Sequence, residues 1–212
     1  MIKNLPKPLL LLLSVVLISA ASCSRNPQLF KKIDPSKSGI LFNNQIIEND
    51  SINVIDKENV YNGGGVAAGD FNNDGLQDLY FTGNLTGNKL YLNQDKFSFK
   101  DVSAIAGVEG NGRWSRGVAT IDINNDGWLD IYVCATLQKK AADRANLLYV
   151  SQGLNKEGIP VFKEMAESYG IADTASLPWQ LFLITIMMAT STSILPSTKS
   201  SKVIIPIASG PF

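Results

Sequence analysis

Asp70-Phe-Asn72-Asn-Asp74-Gly75-Leu76-Gln-Asp78 is answered 52 residues later by Asp122-Ile-Asn124-Asn-Asp126-Gly127-Trp128-Leu-Asp130, and both stretches read D-x-N-x-D-G-x-x-D. Three carboxylates and an amide oxygen crowded into nine residues repel one another at neutral pH unless a cation sits among them. Hard oxygen ligands of this kind suit calcium. Positions 1, 3 and 5 of such a loop turn oxygens inward, the glycine at position 6 permits the sharp turn, and position 7 can add its backbone carbonyl. The candidate ligands are therefore Asp70, Asn72, Asp74, Leu76 and Asp78 in the first loop and Asp122, Asn124, Asp126, Trp128 and Asp130 in the second. An EF-hand would close with glutamate at position 12, where this chain has Phe81 and Val133, so that reading fails. Asp78 and Asp130, at position 9, are expected to close the loops instead.

The flanks show what carries the loops. Gly65-Val-Ala-Ala-Gly69 and Gly117-Val-Ala-Thr-Ile121 precede them, and Leu79-Tyr-Phe-Thr82 and Ile131-Tyr-Val-Cys134 follow. The following runs in particular are rich in β-branched and aromatic residues, as strands are. Each loop is thus expected to be a hairpin turn. Asn88-Lys-Leu-Tyr-Leu92 and Asn146-Leu-Leu-Tyr-Val150 read as matching third strands, and Phe97–Val102 and Val161–Met165 as matching fourth strands, with turns at Gly107 and Gly170. A spacing of 52 residues fits a four-stranded blade that carries a loop.

With these residues in place the chain, from about Asn62 to Ile171, resembles the FG-GAP/VCBS repeat family, the calcium-loop blades of integrin-α-like β-propellers. More narrowly, Gly65–Asn84, Asn88–Asn93 and Ala106-Gly-Val108 are similar to the bacterial relatives of cartilage acidic protein, the ASPIC/UnbV group. The resemblance implies an all-β fold of two propeller blades in an incomplete ring, with calcium as cofactor. It also implies an exported protein of adhesive or ligand-binding type.

Composition bounds the rest. With 45% hydrophobic and 18% charged residues the chain is globular, and 19 basic against 19 acidic side chains favour neither nucleic acid nor an anionic membrane as partner. The chain has no histidine, which removes Ser/His and Cys/His nucleophile pairs and histidine-bound zinc. Residues 1–22 carry Lys3 and Lys7 ahead of the apolar run Leu9–Ala21 and read as a signal peptide. Ser19-Ala-Ala-Ser-Cys23 is similar to a bacterial lipobox, with Ala20 where leucine is usual, so Cys23 is the expected lipidation site; ordinary cleavage near Ala21 is the alternative. The other cysteine, Cys134, falls in an expected strand and reads as a small core hydrophobe.

The expected organisation is a signal peptide at 1–22, a tether and lead-in segment at 23–61, a first blade at 62–116, a second at 117–171, and an aberrant tail at 172–212. Phe30 and Gly39-Ile-Leu-Phe42 are expected to pack on the first blade, and Asn62-Gly-Gly-Gly65 to open it. Trp114 reads as packing between blades rather than as a ligand platform, and Arg113 and Arg116 as solvated turn charges that could grip an acidic ligand.

In the tail, acidic residues stop at Asp173 and Leu181–Ala189 is apolar, yet the repeat places a third loop near residue 185. Back-translating Leu183–Ile194 as xTG ATT ACG ATA ATG ATG GCG ACC TCG ACC TCT ATx uses a legal codon for every residue. Read from the third base, that string spells Asp-Tyr-Asp-Asn-Asp-Gly-Asp-Leu-Asp-Leu-Tyr, a further D-x-D-x-D-G-x-x-D and a strand. The tail is therefore read as out of frame.

Two functional classes follow. A binding module on the cell envelope is the first reading, with an extracellular protein or glycan as ligand, a lipid anchor in the outer membrane or at the cell surface, and no catalytic residue. A propeller-based carbohydrate-active enzyme is the alternative, and would need an acid/base pair in a cleft. A broken gene whose product does nothing is a third outcome.

Overall fold

The computed structural model describes residues 30–55, 60–110 and 112–174. The expected signal peptide, Cys23 and the tail from residue 175 lie outside them. The chain divides into two units, Met1–Asp34 and Pro35–Phe212. Among the described residues the second unit is mostly β, with eight strands in two four-stranded antiparallel sheets and no closed barrel.

The first sheet has the order β1 (Val66–Gly69), β2 (Asp78–Phe81), β3 (Lys89–Asn93) and β4 (Phe99–Asp101). The second repeats it with β5 (Trp114–Ile121), β6 (Asp130–Thr136), β7 (Leu147–Leu154) and β8 (Pro160–Glu164). Both are meanders of the kind that make a propeller blade. Helix α1 is Pro35–Ser38, and α2, Ser103–Ala106, follows β4 and ends on Gly107 at φ 76°. β5 begins at Trp114, ahead of the boundary drawn at 116/117. At the other end the fold runs past 171, because Asp173 O accepts the Asn146 N–H and Thr174 O accepts Arg144 Nε.

The main core lies between the two sheets. Phe71, Tyr80, Leu90, Leu92, Val102, Ala106 and Val108 from the first repeat meet Ile131, Val133, Leu147, Tyr149, Ile159 and Phe162 from the second, all buried. Alternation explains the division of labour, since successive strand residues face opposite sides and Ile131 and Val133 point one way while Tyr132 and Cys134 point the other. Tyr132, Cys134, Leu148, Val150 and Ala166 form a second cluster on the far side of the second sheet. There Cys134 is a free, buried thiol, pushed up to about 12 chiefly by burial. Fully burying side chains of this size contributes about 1.5–3 kcal/mol each, so the inter-sheet core dominates stability.

The lead-in segment reaches the first sheet through Phe42, whose ring stacks on Phe81 at 5.2 Å. Phe30, expected to join it, is 91% exposed. Of the glycines that open the first repeat, Gly63 uses its backbone freedom, at φ 75° with open space around it, whereas Gly65 answers to close approach: a Cβ there would sit 2.6 Å from the Arg116 carbonyl oxygen of the next repeat.

Candidate metal loops

Each D-x-N-x-D-G-x-x-D stretch joins two antiparallel strands, β1 to β2 and β5 to β6, as a hairpin turn. The turn needs left-handed backbone at two positions, and the sequence supplies tolerant residues at both: Asn73 and Asn125 at φ 56°, Gly75 and Gly127 at φ 87° and 86°. The side-chain oxygens fold inward over the turn. Asp70 accepts the Asp74 N–H at 3.1 Å and the Gly75 N–H at 2.8 Å, Asn72 Oδ1 shares the Asp74 N–H at 3.3 Å, and Asp74 Oδ1 accepts the Leu76 N–H at 2.8 Å. The second loop repeats the set with Asp122, Asn124 and Asp126 on the amides of Asp126, Gly127 and Trp128, at 3.1, 2.9, 3.2 and 2.9 Å. Leu76 and Trp128 meet these carboxylates through their N–H groups.

Asp78 and Asp130 have a second role that the local spacing does not reveal. Asp78 is buried and accepts the Phe71 N–H at 2.9 Å and the Asn93 N–H at 2.8 Å, tying its loop to the end of β3. Asp130 does the same with Ile123 at 2.9 Å and Ser151 at 2.8 Å. Burial, reinforced by the neighbouring charges of Asp74 and Asp70, raises Asp78 to about 6 despite those two N–H bonds. Asp130 is raised for the same reasons, burial first and then Asp126 and Asp122.

The donor set fits a hard divalent cation in chemistry. A half-buried and an exposed carboxylate converge with an amide oxygen over one turn, a third carboxylate lies buried beneath, and each oxygen keeps a second lone pair beside its N–H partner. No three acidic or cysteine side chains among the described residues are drawn together as a ready-made metal cage. The two loops lie side by side, since Asn73 Nδ2 donates to Gly127 O at 3.2 Å.

The basic and aromatic candidates fall elsewhere. Trp114 is 1% exposed, a packing residue. Arg113 is not simply a solvated turn charge, because its Nε donates to Ala145 O at 2.9 Å. It also lines a shallow cleft of about 390 Å³ with Asn84, Thr86, Glu109 and Gln138, at the strand ends away from the loops. Arg116 is partly buried, which lowers its pKa, and its carbonyl accepts the Thr82 hydroxyl.

Sequence reasoning also missed a polar bracket that occurs in both repeats. Tyr80 donates to Val108 O at 2.7 Å and accepts from Asn88 Nδ2 at 2.9 Å, while Asn88 Oδ1 accepts the Gly83 N–H at 2.9 Å. Tyr132 donates to Ile171 O at 3.0 Å and accepts from Asn146 Nδ2 at 3.0 Å, while Asn146 Oδ1 accepts the Ala135 N–H at 2.9 Å. Tyr and Asn standing at matched places in both repeats were the available signal.

Residues 70–133 match the FG-GAP-like repeat family. The match runs from the first residue of the first loop, through the second loop, into β6, so both candidate metal loops fall inside it. No curated protein matches the chain significantly.

Proposed function

We propose that this chain is an exported, calcium-binding propeller-type repeat protein that acts as an adhesion or ligand-binding module on a bacterial cell envelope. The observation that carries the reading is the pair of loops whose oxygens converge over the same backbone amides at nearly the same distances. A calcium ion bound there would supply positive charge to groups that otherwise repel one another. Asp70, Asn72, Asp74 and Asp78 would hold one ion, and Asp122, Asn124, Asp126 and Asp130 the other, with the carbonyls of Leu76 and Trp128 available to each. Titration calorimetry tests this: about two calcium ions per chain are expected, and a folded sample that takes up none refutes it. Asp74→Ala is expected to remove one site and leave the other.

The role is binding rather than catalysis. The loop carboxylates are committed to backbone amides and to the ion, and Glu109 is paired with Lys89 at 3.5 Å. The ligand would be an extracellular protein or glycan. Attachment would come from acylation of Cys23, which labelled palmitate incorporated by the parent and not by Cys23→Ser would demonstrate. The narrower likeness to bacterial relatives of cartilage acidic protein agrees with such an anchor. The tail is read as out of frame, and resequencing the gene decides it: codons 183–194 must spell the third loop in another frame.

A further inference from the structure

The shallow cleft at the strand ends away from the loops is walled by two segments that the fold holds rigidly. One is the turn between β2 and β3. There Asn84 is buried, donates to Ser115 O at 2.9 Å and Gly63 O at 3.3 Å, and accepts from Asn44 Nδ2 at 2.7 Å. The other is the approach to β5, pinned at four points. Glu109 O accepts the Asn88 N–H at 2.9 Å, the Gly110 N–H donates to the Tyr149 hydroxyl at 3.0 Å, the Arg113 N–H donates to Gly110 O at 3.1 Å, and Arg113 Nε donates to Ala145 O at 2.9 Å. Gln138, just after β6, joins the lining with its backbone held at both ends. Its N–H donates to Thr136 O and its carbonyl accepts Arg144 Nη1, each at 2.8 Å.

The backbone of the cleft is thus fully engaged while three of its side chains are not. Thr86, Arg113 and Gln138 are half-buried, and the Thr86 hydroxyl and the Gln138 amide make no hydrogen bond among the described residues. Arg113 uses Nε alone, and both ion pairs among the described residues belong to Lys89. A guanidinium anchored through Nε presents its remaining N–H groups as a fixed planar fork, and such a fork matches a carboxylate.

Glu109 decides what carries that carboxylate. It lines the same cleft and is paired with Lys89 at 3.5 Å, and as an ionised carboxylate it accepts hydrogen bonds and donates none. An acidic protein side chain brings only acceptors and a like charge. A sugar acid brings one carboxylate for Arg113 and hydroxyls that can donate to Glu109 and both donate to and accept from Thr86 and Gln138. The volume of about 390 Å³ lies at the small end of ligand pockets, about 300–1,000 Å³.

We infer that this cleft binds an acidic sugar of the hexuronate class, with Arg113 on the carboxylate and Thr86, Gln138 and Glu109 on the hydroxyls. The inference deepens the ligand-binding role proposed above and rests on it, but needs neither the calcium loops nor the anchor.

Ligand-observed NMR titration of the full chain with sodium glucuronate tests it. Glucuronate is expected to bind at least about tenfold more tightly than glucose or the methyl ester of glucuronic acid, since each lacks the charge that Arg113 would pair. Arg113→Gln should remove that preference. Should Arg113→Gln fail to fold through loss of its bond to Ala145 O, Thr86→Val and Gln138→Ala decide, because neither side chain holds the fold together. Each should weaken glucuronate about three- to fivefold at unchanged Tm. Glucose bound as tightly as glucuronate would overturn the inference, as would glucuronate binding that none of these substitutions weakens. A blocked Gly-Asp-Gly peptide that binds more tightly than glucuronate, and loses its binding in Gln138→Ala, would name an acidic protein as the occupant and overturn it equally. No glucuronate binding to the folded parent would end the sugar assignment alone, since the wider binding role is then judged by whether the peptide binds.

Discussion

The two repeats share one hydrogen-bond plan and differ in what lies over it. In the first, the Tyr80–Asn88 bracket and the apolar residues around it are sealed beneath the second sheet. In the second, Tyr132 and Asn146 hold the same geometry while Ile123, Met165 and Ile171 stay half-buried above them. Local structure is therefore written within each repeat, through strand alternation and the Asp/Asn turn. Burial is conferred by the neighbour. A repeat that cannot close its own face stabilises mainly through the next one.

The largest effect should come from the seam between the sheets. Leu90→Ala, fully buried there, is expected to cost about 2–5 kcal/mol, a large part of a domain's stability. Ile171→Ala removes comparable carbon from the half-covered face and should cost about 1 kcal/mol. Denaturant midpoints at unchanged m-value give both numbers. Equal losses would break the comparison, because the far face would then be as well covered as the seam.

The loops make the opposite prediction, that the repeats are equal. Calcium at a hundred times its dissociation constant should stabilise the fold by about 2.7 kcal/mol per site. Asp74→Ala and Asp126→Ala should each remove about half of the calcium-dependent rise in Tm, since the hydrogen bonds of their carboxylates match within the two loops. A rise that either substitution abolishes completely would show one site or two coupled ones.

The bracket comes next. Burial holds the Tyr80 phenol well above its usual pKa, so it stays neutral and donates to Val108 O. Tyr80→Phe leaves that carbonyl and Asn88 Nδ2 without their partner in a sealed site, at about 1–3 kcal/mol. Tyr132→Phe makes the same deletion in a part-buried site, where water can replace the hydroxyl, and should cost less than half as much. Thermal melts of the two variants side by side measure the difference, and a larger loss for Tyr132→Phe would contradict the burial argument.

Which of these features could be read from the sequence follows from their range. The hairpin loops and all eight strands were legible, because Asp/Asn/Gly spacing and period-two alternation act over a few residues. Gly75 and Gly127 were legible for the same reason, and both adopt the positive φ that the turn needs. The bracket was not, since Tyr80 and Val108 are 28 residues apart and meet only after the sheet forms. Asp78 read as a loop-closing ligand, yet both its oxygens also hold backbone amides, one of them Asn93 on β3. Phe30 looked like a packing residue by hydrophobicity alone and is exposed, and Arg113 looked solvated but finds the Ala145 carbonyl.

The smallest effect isolates the hydrogen bond that joins the loops among the described residues. Asn73 and Asn125 occupy the same left-handed position at φ 56°, so replacing either by alanine carries the same backbone penalty, about 1 kcal/mol. Only Asn73 reaches across, its amide donating to Gly127 O at 3.2 Å in an exposed setting. Subtracting the loss for Asn125→Ala from that for Asn73→Ala cancels the shared penalty and leaves the bond itself. An exposed neutral hydrogen bond contributes at the low end of its range, about 0.5 kcal/mol, so Asn73→Ala should melt about 1–2 °C below Asn125→Ala. Identical melting temperatures would mean that the loops do not hold one another and that the repeats are joined by the rest of their seam. A gap several times larger would mean that the loops act as one structure, and calcium titrations of the two variants would then be expected to diverge as well.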